Sequence, residues 1–195
     1  MKEENKKRKK IKVTRYIIDD HVCLNSIALN QLSQAKKEEA VYQFRWIIPS
    51  MAFSVFRVES LCNIYGSHLF PHWEHFESTS FIGKVVMISE FLKIKVDFSV
   101  EPWQTISSMK RFRNMLVHAK PQKASVTHEV PEDFPQQLLP LPKSKKTITY
   151  SLSIENAERF NEVAYELESL WMDHAYRLGF EVNMSGRPKY ELEDV

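Results

Sequence analysis

The chain's 195 residues, 43% of them apolar and 12% aromatic, suffice for one domain with a sizeable core and fall short of two. Four glycines are too few for the tight turns of an all-β sandwich or barrel, and Cys23 and Cys62 supply neither a disulfide framework nor a metal-ligand pair, so an all-α protein of the reducing cytoplasm is expected. A net charge of +2 conceals a split, with +5 on residues 1–12 and −3 on the remainder.

The basic stretch MKEENKKRKKIK opens the chain. Ile11, Val13 and Ile17 alternate with polar residues, so no secretory leader is expected. Residues 1–20 are expected to form a disordered arm, either simply solvated or holding phosphates by counterion release. From 24 to 65 the apolar positions recur at helical spacing through Leu29, Leu32, Val41, Phe44, Ile48, Val55, Phe56 and Cys62. This predicts two helices, or one long helix kinked at Pro49, with Gly66 as the C-cap. The longest apolar stretch, 46–56, is interrupted by Pro49, Ser50 and Ser54 and is too short to span a bilayer, so no membrane partner is expected.

SHLFPHWEHFEST reads as a connector over an aromatic cluster of Phe70, Trp73 and Phe76. His68, His72 and His75, with Glu74, have a spacing zinc could use, but Pro71 interrupts the helix that would align them and no fourth ligand is evident. Neither a metal nor a cofactor is expected. Thr79 or Ser80 caps a helix to about Lys93, and Ser99 caps the next, which tolerates Pro102 in its first turn and ends at Pro121. Five prolines between 121 and 142, without helical periodicity, predict a surface loop. TITYSLS alternates, which predicts a short strand or hairpin closing an insertion that covers 121–153. Ser153 then opens a helix with an apolar stripe of Phe160, Val163, Ala164, Leu167, Leu170 and Trp171 that ends near Gly179. Residues 181–195 read as a frayed tail. The sum is a bundle of four or five helices over 21–180.

One helix carries an anomaly. On a wheel of roughly 100° per residue, Trp103, Ile106, Met109, Phe112, Leu116 and Val117 form a broad apolar arc with Arg113 near its middle. A guanidinium buried there needs an acid, an anionic ligand or a second subunit, because burying an unsatisfied charge costs several kcal/mol. Asn114 and His118 lie one turn apart on an edge of the arc, within reach of Arg113. These groups suit phosphodiester chemistry. An imidazole moves protons near neutral pH, an arginine fork matches phosphate oxygens, and an amide can orient either one. Spacing alone carries little weight: nine arginines and seven histidines yield roughly 0.3 chance matches at one fixed offset, and Arg15 with His21 or Arg111 with His118 fit a relaxed pattern. The bland alternative is an internal salt bridge at Arg113 with His118 as a C-terminal helix cap.

RNMLVH within WQTISSMKRFRNMLVHAKP resembles the arginine, asparagine, three residues, histidine signature of the HEPN superfamily (higher eukaryotes and prokaryotes nucleotide-binding domains). FRVESLCNIYG is similar to the family's first core helix, and STSFIGKVVMISEFL to its second. The resemblance implies a small helical bundle and a metal-independent endoribonuclease whose signatures face each other across a homodimer to cleave RNA, in stress response, phage defence or a toxin role. It implies Arg113 on the scissile phosphate, His118 as general acid or base, and Asn114 orienting them. Glu59, Asn63 and Lys84 are expected to support these residues, Glu59 either as the natural partner of Arg113 or paired with Lys84 or facing solvent, while Lys110, Arg111 and Lys120 are expected to contact the substrate. An antitoxin or regulatory protein would be a further partner. The chain departs from one subset of the family at Lys120, where that subset carries a modified tyrosine. Some members lack nuclease activity and act as binding modules, which is the alternative reading.

Overall fold

The helical spacing over 24–65 resolves into two separate helices that break before Pro49, not at it. In a computed structural model, described for residues 10–14, 19–118, 120–121, 123–131, 134–135, 139–140, 147–184 and 189–193, they are α1 (Asp19–Ala35) and α2 (Phe44–Leu69). Pro49 is the sixth residue of α2, inside the helix, where it withholds the N–H that would bond the Arg45 carbonyl. The fold continues with α3 (Phe81–Phe91), α4 (Trp103–Val117) and α5 (Ile154–Arg177). The α2 helix packs against each of the other four and supplies the largest share of the core, including Met51, Val55, Val58, Leu61 and Tyr65. At 26 residues with a mean hydropathy of 1.2 it is long and apolar enough to cross a membrane, longer than its apolar sequence run. More than half of that window, 56%, is buried inside the bundle, as in the core helix of a globular fold.

Several boundaries follow the expected chemistry. The Ser80 hydroxyl accepts the Gly83 N–H at 3.1 Å to start α3, and the Ser153 hydroxyl accepts the Asn156 N–H at 3.1 Å to start α5. Others do not. Ser99 gives its N–H and hydroxyl to the Asp97 carboxylate and caps nothing. It is Glu101 that accepts the N–H and hydroxyl of Thr105 in the first turn of α4. That helix ends at Val117, four residues short of Pro121. Gly66 is not a cap, because α2 runs past it to Leu69. Its hydrogen is needed for close approach instead: a Cβ there would overlap the indole of Trp73, which stacks on Phe70 at 5.8 Å beneath the connector.

The two ends of the chain differ from expectation. Lys10–Thr14, within the arm read as disordered, forms β1, which pairs antiparallel with β2 (Lys189–Glu193), within the tail read as frayed. The remaining basic residues 1–9 lie outside the described residues. Before α5, Ile148–Ser151 is a 3-10 turn, not a strand or hairpin, and among the described residues no second strand lies beside it. Alternation of TITYSLS at this length lacks a partner edge, so a local turn prevails. The proline-rich span 121–142 contains neither helix nor strand among its described residues.

Gly66→Ala is expected to lower stability by about 1–2 kcal/mol, because forcing a methyl against the packed indole outweighs the gain in helix propensity. Urea denaturation of the two proteins checks this; an unchanged or raised midpoint would show that the contact yields.

Candidate functional site

The α4 helix is held at its start and along its first ten residues before it presents any polar group. Trp103, Ile106, Met109 and Phe112 are buried, and Phe112 meets Phe160 of α5 edge to face at 5.7 Å. Arg159 of α5 bridges to Glu101 just ahead of α4 at 3.1 Å. The apolar arc then leaves the bundle. Leu116 is 37% exposed and Val117 58%, so Arg113 stands on the rim of the arc rather than in its buried middle.

Arg113 does meet an acid. Its Nε lies 3.3 Å from Glu59 Oε1 on α2, and the two side chains are about one-third exposed. The pairing agrees with the natural partner the sequence offered. One turn further along α2, Asn63 accepts a hydrogen bond from Lys84 Nζ of α3 at 3.2 Å. Lys84 is buried, with its ammonium 6.0 Å from the centre of the Trp73 ring. Glu59, Asn63 and Lys84 therefore fall together beside Arg113. Asn114 lines a cleft between α4 and α5 that Arg111 also lines. His118 is exposed as the C-cap residue of α4, with its N–H bonded to the Asn114 carbonyl. Among the described residues no hydrogen bond joins the side chains of Arg113, Asn114 and His118. Lys110, Arg111 and Lys120 are all exposed along the same end of α4 and the residues after it.

The histidine-rich connector divides. His72, Glu74 and His75 are exposed and their ligand atoms lie within 4.8 Å of one another. His68 is drawn elsewhere: its Nδ1 donates to the Ile64 carbonyl and its Nε2 accepts the Asn183 N–H. Burial pushes the Cys62 thiol well above its ordinary range, which makes it unreactive.

The most buried charge in the described structure was not singled out from the sequence. Arg57 of α2, 2% exposed, donates to Glu168 of α5 at 2.5 Å, while His21 of α1 lies 3.4 Å from the other carboxylate oxygen. The guanidinium lies 3.7 Å over the Tyr165 ring, and Tyr165 accepts from Asn25 at 2.6 Å. Arg57 Nε and Nη1 and His21 Nδ1 are buried without a protein partner. Burial raises the Glu168 pKa, but the hydrogen bonds and charges of His21 and Arg57 outweigh it and hold the carboxyl below its ordinary value of 4.5. A signal was available: Arg57 and Glu168 each interrupt an apolar stripe, as Arg113 does.

Compared with protein-family models, with curated proteins and with solved structures, the chain matches none.

The depressed pKa of Glu168 means its stabilisation is present above the ordinary carboxyl range and is lost as pH falls through the lower folded value. Glu168→Gln should cost about 3 kcal/mol near neutral pH by leaving Arg57 buried without its counter-charge. Thermal unfolding followed against pH should also show a weaker acid dependence below 4.5 in the variant. Equal stability of the two proteins would refute the assignment.

Proposed function

We propose that this chain is a metal-independent endoribonuclease of the HEPN type, working in the cytoplasm as a homodimer in stress response, phage defence or a toxin role. The observation that carries this reading is the presentation of Arg113. Glu59 approaches it most closely at Nε, and among the described residues the two terminal nitrogens make no hydrogen bond. A guanidinium held along one edge by a carboxylate is oriented in advance and offers its remaining donors to phosphate oxygens. The half-exposed setting admits a polyanion while keeping the fork fixed.

Around the ion pair, Phe56, Leu116 and Val117 remain exposed on α2 and α4. Such an apolar rim suits a second copy of the same face, which would bring two His118 imidazoles and two Arg113 forks to one strand of RNA. There an imidazole takes the proton of a 2′-hydroxyl as its oxygen attacks phosphorus, and an imidazolium returns one to the departing 5′ oxygen. Arg113 stabilises charge on the non-bridging oxygens, Asn114 orients the reacting groups, and Lys110, Arg111 and Lys120 hold flanking phosphates. A neutralising antitoxin or regulatory protein would suit the toxin role.

The second reading is a non-catalytic HEPN-fold module that binds nucleic acid or protein. One observation favours it: Arg113 finds its acid inside its own bundle and so has a structural partner without RNA.

Single-stranded RNA incubated with the protein in chelator is expected to be cut, with rates lowered about 100-fold or more in Arg113→Ala and His118→Ala at unchanged folding. Wild type that cuts nothing, or His118→Ala that cuts as fast, removes the catalytic reading; retained RNA binding without cleavage would then support the module.

A further inference from the structure

The cleft that Asn114 enters has a volume of about 620 Å³, within the range of small-molecule sites. Its floor is apolar and preformed: Met51 is fully buried, Phe160 is 4% exposed, and Met115 stands beside them. The α4 wall carries Arg111 and Asn114, the first turn of α5 carries Asn156, and the 3-10 turn brings Tyr150, 60% exposed, to the rim.

Among the described residues no carboxylate lines this space. Arg111 donates to the Ser108 hydroxyl at 2.9 Å and, among the described residues, pairs with no acid. Among the described residues Asn114 makes no side-chain hydrogen bond, and Asn156 uses only its Nδ2, on the Ser151 carbonyl at 2.9 Å, which leaves its amide oxygen for a ligand. A permanent cation, open amide groups and a flat apolar floor beside an aromatic ring call for an anion with a planar body.

We propose that the cleft binds one ribonucleotide unit, with its base against Met115 and the Tyr150 ring above the buried Met51 and Phe160, and its phosphate on Arg111. Thioether and aromatic faces accept any base by stacking, while Asn114 and Asn156 supply donors and acceptors for its polar edge or for ribose hydroxyls. Arg111 forms the charge-assisted contact that fixes which end of the ligand faces out. The inference rests on the RNA-cleaving reading in one respect: Asn114 joins the cleft to the signature, so the bound unit would be a nucleotide next to the scissile phosphate, and the cleft would set base preference.

The test is titration of the full chain, in chelator, with each of the four ribonucleoside 5′-monophosphates, followed by calorimetry. At least one is expected to bind, and Arg111→Ala and Tyr150→Ala should each weaken it about tenfold or more with unchanged thermal midpoints. If none binds at millimolar concentration, or both variants bind as tightly as wild type, the inference is overturned. The same two variants titrated with a neutral apolar peptide separate a protein-docking groove, which would bind the peptide and not the nucleotides and would likewise overturn it. RNA cleavage without monophosphate binding removes the cleft and leaves the nuclease; monophosphate binding without cleavage does the reverse.

Discussion

The bundle is organised around a guanidinium that α2 carries into its interior. Arg57 is sealed between α1, α2 and α5, and its charge is tolerable only because Glu168 faces it and His21 meets the same carboxylate. This fixes the rotation of α2 about its axis. Two residues on, and roughly 200° around the helix, Glu59 then points to the opposite side, where α4 lies. The inward pair thus sets the position of the outward one. A bundle held only by apolar contacts would leave α2 freer to rotate, and the orientation of Glu59 against Arg113 with it.

The outward pair differs in character. Arg57 is enclosed and its role ends with holding helices together. Arg113 is anchored on one edge and open on the other, at the end of a helix whose apolar residues continue beyond the bundle as Leu116 and Val117. An exposed apolar rim around a half-satisfied guanidinium is poorly explained by the needs of an isolated chain. In the proposed function this face meets a second copy and a phosphate, with Asn114 and Arg111 lining the adjoining cleft.

Much of this was legible in the sequence because it depends on local chemistry. The Ser80 and Ser153 caps, the stripe of α5 and the buried half of α4 follow from side-chain type and period. The Glu59–Arg113 contact was legible because two charges on apolar helix faces need each other. What depends on distant partners was not. Gly66 looks like a cap until Trp73, seven residues away, is found against it. The strand at Lys10–Thr14 becomes visible only with Lys189–Glu193 alongside, since a lone five-residue stretch next to a basic run resembles a solvated arm. The Arg57–Glu168 pair joins residues 111 apart in sequence, and the direction in which Asn114 turns depends on where α5 packs. The resemblance to the HEPN signature lies in six residues, too few to fix by themselves how the signature side chains are shared between two chains.

The measurement closest to the central claim is the chemistry of RNA ends left after incubation with the wild-type protein in chelator. If His118 acts on the 2′-hydroxyl while Arg113 holds the phosphate, the fragments carry 2′,3′-cyclic phosphates and 5′-hydroxyls, and an otherwise identical strand lacking 2′-hydroxyls stays whole. Intact RNA, 5′-phosphate ends, or cleavage of the 2′-deoxy strand would contradict the account.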